Sequence, residues 1–276
     1  MTILPPAIDI KPFLDEDIGA GDITAAIIPA ETSAVAKVIT REAMILCGKP
    51  WFDALFEHLD SNVNITWYAN EGESLPVGAT LCKLNGPARP LLTGERTALN
   101  LLQTLSATAT QARLYADAVA GTPCKVLDTR KTLPGLRIAQ KYAVTCGGCY
   151  NHRIGLYDGV LIKENHIMAA GSISKAIQLA RELTSLTVEI EVESLQEFAE
   201  AIAAEPDRIM LDNFSLEALR LAVSLNNGAI ELEASGNIDL TNIRAIAETG
   251  VNFISIGSLT KHIKAVDLSM RISLVN

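Results

Sequence analysis

Residues 188–212 read VEIEVESLQEFAEAIAAEPDRIMLD. Val188, Ile190 and Val192 alternate with Glu189, Glu191 and Glu193, the period of two that a strand requires. Leu195–Ala204 then places apolar residues at helical spacing, and the apolar run Ile209–Leu211 ends at Asp212. Strand, helix and strand in so short a span predict a parallel pair joined by a right-handed crossover. The aliphatic side of Val188–Val192 must face helices, so the glutamates point to the interior and need cationic partners there.

The same unit recurs at roughly 20 to 30 residues on either side. Val126–Leu127 ends at Asp128, Val160–Ile162 at Lys163, Ile230–Ala234 at Ser235 and Phe253–Ile256 at Gly257. Ile173–Leu183 is a further amphipathic stretch between two of these runs. Six units are too few for a full barrel of eight, which takes about 250 residues. The prediction is therefore an incomplete six-stranded α/β barrel over 111–276, with an open doubly wound sheet as the alternative. Either way, chemistry belongs at the carboxyl ends of the strands. Residues 1–110 read as a smaller α+β domain, with strands at Ala34–Arg41, Val63–Ala69 and Thr80–Leu84 and a helix at Pro50–Leu59. A long helix, Thr93–Tyr115, leads into the barrel, and Leu259–Ile272 reads as a final helix.

Hydrophobic residues make up 49% of the chain and aromatics only 5%, so the core is aliphatic, as parallel βαβ construction favours. A net charge of −9 argues against general binding to nucleic acid or anionic membranes. Met1–Asp22 has no basic segment followed by an apolar run, so no secretory signal is expected; there is no run of eighteen apolar residues, and five cysteines do not make a disulfide framework. The expected compartment is the cytoplasm.

Within residues 128–163 six cations (Arg130, Lys131, Arg137, Lys141, Arg153, Lys163) face two acids, Asp128 and Asp158, a local excess of four. Such a cluster focuses a positive field on a small polyanion, and arginine's fork suits carboxylates and phosphates. Glu191 and Asp212 at neighbouring strand ends suit Mg²⁺ or a cationic transition state. Ser235-Gly236-Asn237 and Gly257-Ser258 follow the last strands, where backbone N–H groups bind phosphate.

These residues fall into longer motifs. Asp128-Thr-Arg-Lys-Thr-Leu-Pro-Gly-Leu-Arg137, Lys141-Tyr-Ala-Val144, Cys146-Gly-Gly148, Asn151-His-Arg153 and Leu161-Ile-Lys-Glu-Asn-His166 resemble the signature of the quinolinate phosphoribosyltransferase family. So do Glu16–Thr24, Leu92–Asn100, Leu211–Phe214, Glu233–Asn237 and Leu259–His262, in the same order along nearly the whole chain. The resemblance implies an enzyme that joins quinolinate to phosphoribosyl pyrophosphate with Mg²⁺, giving nicotinate mononucleotide, diphosphate and carbon dioxide. It implies that Arg130, His152 and Arg153 grip the two carboxylates and that Lys131 and Lys163 lie between quinolinate and diphosphate. Glu191 and Asp212 would hold the ribose hydroxyls and Mg²⁺, and Ser235, Gly236 and Gly257 the 5′-phosphate. Arg96 would reach in from the second chain of a homodimer with shared active sites.

Where the family usually has a further glycine and a small residue after Cys-Gly-Gly, this chain has Cys149 and Tyr150. The resulting Cys146-x-x-Cys149 pair lacks the second pair that a four-ligand zinc site needs. A paralogous group associated with molybdenum transport shares the fold but departs from the dicarboxylate motif that Asn151-His152-Arg153 keeps. A non-catalytic sugar-phosphate-binding barrel would have no need of Lys131, Glu191 and Asp212 together.

Overall fold

The computed structural model describes residues 8–275. They form two compact units, each drawn from more than one stretch of chain. Unit 1 comprises the residues through Arg113, Ile138–Gly148 and those from His262 onward; unit 2 comprises Leu114–Arg137 and Cys149–Lys261.

Unit 1 supplies the first five strands: β1 Ser33–Thr40, β2 Met44–Ile45, β3 Asn64–Trp67, β4 Ser74–Leu75 and β5 Thr80–Pro87. In β1 the small residues Ala34, Ala36 and Val38 are buried while Val35 and Lys37 are exposed, the alternation of a sheet with one wet face. The helix Lys49–Leu59 buries Trp51, Phe52, Leu55 and Phe56, and Phe52 meets the edge of Trp67 at 5.3 Å. The helix Ala88–Ala118 passes the same cluster at Gly94, where a Cβ would come within 2.7 Å of Leu59. Only glycine allows so close an approach of two helices.

Unit 2 carries the six predicted strands: β6 Lys125–Leu127, β7 Val160–Ile162, β8 Val188–Val192, β9 Arg208–Asp212, β10 Glu231–Ser235 and β11 Phe253–Ser255. They form one parallel sheet in the order β6-β11-β10-β9-β8-β7. The first strand lies beside the last and every other neighbour is sequential, which is a barrel order with a single seam, between β6 and β7. A doubly wound sheet reverses direction instead, so the α/β barrel reading holds. Three crossover helices start at serines (Ser172, Ser194 and Ser215), whose hydroxyls accept from the backbone N–H three residues on. Ile173, Ala176, Ile177 and Ala180 then form the buried stripe of the first of these helices.

The final helix expected over Leu259–Ile272 is corrected. The helix there spans only Ser258–Lys261, and Leu268–Val275 is a twelfth strand, β12, paired antiparallel with β1 from Thr40↔Leu268 to Ser33↔Val275. Leu268 and Met270 are buried and Arg271 is exposed, and pairing with the edge of a preformed sheet outweighs the helical reading of these few apolar residues. The helix Arg137–Cys146, the short helix Lys11–Ile18 and the two-residue strands β2 and β4 were also not anticipated. No helix among the described residues is long and apolar enough to cross a membrane.

Candidate active site

At the carboxyl ends of the barrel strands unit 2 holds a cavity of about 270 Å³. Every strand contributes to its lining: Thr129, Arg130 and Lys131 after β6, Leu161 and Lys163 at β7, and Glu191 at β8. Met210 and Asp212 come from β9, Glu233 and Ser235 from β10 and Ser255 from β11, while His152 and Arg153 enter from the loop before β7.

Buried Asp128 organises that loop. Its carboxylate accepts from Asn151 Nδ2 at 2.6 Å and from the His152 backbone N–H at 2.9 Å. Tyr150 meanwhile bridges Leu127 in parallel, with its N–H bonded to Val126 O. The isolated bridge at Tyr150 and the Asp128 carboxylate thereby fix the Asn-His-Arg run beside the end of β6, with His152 and Arg153 lining the cavity. Asp158 closes the loop by accepting from the N–H groups of Ile154 and Gly155 at 2.6 and 2.9 Å.

Arg130, Lys131, Arg153 and Lys163 give the cavity four cations. Nε of Arg130 is buried with no hydrogen-bond partner within the protein, a donor suited to an anion. Burial holds the Arg153 guanidinium below its usual range, and neighbouring Arg130 adds to that shift. Lys131 is tied down through its carbonyl, which accepts from Thr260 Oγ1 at 2.9 Å. Gly257 leaves room for it, since a Cβ there would sit 3.1 Å from Lys131 Cδ.

On the acid side, Lys163 Nζ pairs with Glu191. Oxygens of Glu191, Glu193 and Asp212 lie within 4.8 Å of one another, a set of hard oxygen donors that fits Mg²⁺. Among the sequence expectations Glu193 carried no site role. It lies just beyond β8 and is exposed, so the interior direction expected for all three glutamates holds for buried Glu189 and half-buried Glu191 alone. Asp212 accepts from Asn213 Nδ2 at 2.6 Å, and Asn213 stands at φ +57°. A Cβ on Gly236, itself at φ +93°, would lie 2.3 Å from Asn213 Oδ1. Gly236→Ala is therefore expected to cost about 1–3 kcal/mol of stability and to displace the Asp212–Asn213 pair, with loss of turnover. Thermal melting and an activity assay check this, and a wild-type result in both would contradict it.

The six cations of residues 128–163 are not one cluster. Arg137 donates to Thr132 Oγ1 and Ile154 O, and so ties the two ends of the loop rather than lining the cavity. Lys141 belongs to unit 1 and is buried there. Arg96 does not line this cavity either. It stands on the helix Ala88–Ala118 of unit 1, in a shallow cleft with Asp17, Asp22 and Thr93. The opening motif is fastened there, because Thr93 Oγ1 donates to Asp22 at 2.8 Å and Thr97 Oγ1 to Asp17 at 3.3 Å.

His166 caps the helix Glu164–Ala170, its Nδ1 accepting from the Lys163 N–H at 3.0 Å. None of the five cysteines forms a disulfide. Cys146 leans on Glu71 in unit 1, beside Cys47, whereas Cys149 is buried in unit 2. Glu71 also accepts from the N–H groups of Gly48 and Lys49 at the start of a helix, which occupies it as a cap. Cys149→Gly is accordingly expected to leave turnover and bound metal unchanged. Metal analysis together with thiol titration checks this, and loss of zinc or of redox sensitivity would restore a role for the pair.

Family models for the quinolinate phosphoribosyl transferase N-terminal and C-terminal domains match residues 22–106 and 108–271. The chain is 43% identical to a probable nicotinate-nucleotide pyrophosphorylase (carboxylating) of Bacillus subtilis, over 96% of this chain and 92% of that one. It is 42% identical to a protein of the same name from Synechocystis, over 99% and 95% of the two chains. Among solved structures it resembles the nicotinate-nucleotide pyrophosphorylase of Francisella tularensis, with a TM-score of 0.92 and 50% identity over 96% of this chain and 94% of that one. With both domain models matched in order and the cavity built from the residues of their motifs, the chain belongs to the quinolinate phosphoribosyltransferase family.

Proposed function

We infer that this chain is a quinolinate phosphoribosyltransferase, converting quinolinate and phosphoribosyl pyrophosphate to nicotinate mononucleotide, diphosphate and carbon dioxide in NAD biosynthesis. The observation that carries it is one cavity in which four cations, the carboxylates of Glu191 and Asp212, and Ser235 meet at the strand ends of the barrel.

Arg130, Arg153 and His152 receive the two carboxylates of quinolinate. Lys131 and Lys163 stand toward the diphosphate, and Lys163 exchanges its pairing with Glu191 for the substrate. Ser235 and the backbone at Gly236 and Gly257 take the 5′-phosphate. Glu191 and Asp212 hold the ribose hydroxyls and stabilise positive charge at the anomeric carbon as diphosphate departs. Glu191, Asp212 and Glu193 would hold Mg²⁺ together with the substrate, and the ion would supply neutralisation of the leaving diphosphate. The pyridine nitrogen attacks the oxocarbenium-like carbon, and once quaternised it accepts the electrons released when the 2-carboxylate leaves as carbon dioxide. No organic cofactor enters this scheme, and the protein's contribution is positioning and electrostatics.

We also propose a homodimer in which Arg96 serves the partner's cavity. Cysteines without disulfides and an acidic net charge support a place in the cytoplasm. The direct test supplies quinolinate, phosphoribosyl pyrophosphate and Mg²⁺ and follows carbon dioxide and the mononucleotide. Absence of both products from folded protein would rule the assignment out.

A further inference from the structure

Among the described residues four that are not glycine stand at positive φ: Glu205, Asn213, Asn227 and Asn237. Asn227 ends the helix Leu216–Asn226, and Glu205 follows the end of Leu195–Ala203, places where a left-handed residue commonly closes a helix. Asn213 and Asn237 stand elsewhere, each within two residues of the carboxyl end of a strand, at φ +57° and +50°. β9 and β10 pair in register at Asp212↔Ser235, and the Asn213 N–H extends the ladder to Ser235 O at 2.9 Å. The two turns therefore lie side by side, next to two residues that line the cavity. Their side chains are joined. Asn237 Nδ2 donates to Asn213 Oδ1 at 3.1 Å, and Asn213 Nδ2 donates to Asp212 Oδ2 at 2.6 Å. Behind them Asn242 Nδ2 donates to Asn237 O at 3.0 Å, and Asn242 Oδ1 accepts from the Asp239 N–H at 2.9 Å.

Both asparagines are exposed, so water would replace these bonds at little loss and they add little to stability. The left-handed backbone is itself easier for glycine. What the pair accomplishes is directional. A carboxylate only accepts, so Asn213 must turn its NH₂ to Asp212; with its carbonyl there, two oxygens would oppose each other. Asn237 excludes that second orientation, because its own NH₂ needs the Asn213 carbonyl. With one oxygen gripped, Asp212 keeps a single rotamer, and its carboxylate stays beside Glu191 and Glu193. Partners behind a metal-binding carboxylate set its geometry in this way. We infer that Asn213 and Asn237 are positioning residues that hold the Asp212 carboxylate in the direction Mg²⁺ and the ribose require. The inference rests on the reading of Glu191 and Asp212 as the residues that hold them.

The test uses the full-length protein and its Asn213→Gly and Asn237→Gly variants. Glycine accepts positive φ without strain, so each variant keeps the turn and loses only the amide. Melting temperatures are expected to stay within about 2 °C of the wild type. For Asn213→Gly the Mg²⁺ concentration giving half-maximal activation should rise about ten- to a hundredfold, the scale of losing such a partner. Asn237→Gly, one bond further away, should give a smaller rise in the same constant. The KM for quinolinate should stay within about twofold in both, since its carboxylates are met by other residues. Crystal structures of the substrate-free wild type and variants give a readout independent of turnover. Asp212 should leave its wild-type rotamer, or occupy more than one, in Asn213→Gly. An unmoved Asp212 overturns the inference, and so does an unchanged Mg²⁺ constant in both variants. Turns that served folding alone would do the opposite, lowering the melting temperature with metal dependence intact, and that result also overturns it. If the folded wild type does not turn quinolinate over, it is the reading of the site that fails. The Asp212 rotamer in the variant crystals then still decides whether the asparagines position it.

Discussion

Nicotinate is expected to be turned over roughly ten-thousandfold less well than quinolinate, on the scale of sites built around a polar group that an analogue lacks. Nicotinate has the pyridine nitrogen and one carboxylate but not the 2-carboxylate. Arg130, Arg153 and His152 all line the cavity, and Nε of Arg130 is already buried without a partner. Leaving such cations desolvated and unmatched costs far more than the area of one missing carboxylate suggests. The missing group is also the one lost as carbon dioxide, so a product from nicotinate would have to form without that step. Competition experiments comparing kcat/KM for the two acids measure the ratio. Comparable values would mean that the cations serve another ligand.

Arg96→Ala and Lys131→Ala, each nearly inactive alone, are expected to regain activity when mixed. Lys131 is held at the cavity by Thr260, and its charge-assisted contact is worth roughly ten- to a hundredfold in turnover. Its loss should leave the melting temperature almost unmoved, because it stands among other cations whose mutual repulsion opposes folding. Arg96 lies in unit 1 beside Asp17 and Asp22 and does not line the cavity of unit 2. In a two-fold dimer with shared sites, a mixed dimer has one site carrying both lesions and one carrying neither. Free exchange makes about half the dimers mixed, so activity should return to about a quarter of wild type. If Arg96 acts on its own chain, every site keeps a lesion. No recovery after exchange verified by mass spectrometry would therefore refute the shared site.

Much of the architecture was legible because it is written in local periodicity. The alternation Val188–Val192 and the apolar runs ending at Lys163, Asp212 and Ser235 mark strands whose carboxyl ends carry polar groups. Parallel strands buried on both faces have no other way to present chemistry, so the cavity stands where those endings pointed. The charge classes followed too, with cations at Arg130, Lys131, Arg153 and Lys163 and acids at Glu191 and Asp212.

The remaining features depended on which segments meet across long stretches of chain. Leu268–Val275 became a strand because β1 offers it an edge, a partner more than two hundred residues away. Arg137 and Lys141 look like their cationic neighbours in sequence, yet one braces a loop and the other is buried in unit 1. Cys146 turns to Glu71 rather than to Cys149 three residues on, and Glu193 joins Asp212 through space. By itself the sequence determined the strands, their faces and the kinds of charge at their ends, because those follow from side-chain alternation along a single element. Only the tertiary structure decided which of those charges share a cavity and which are spent on packing, because a charge's partner is set by distance in the fold.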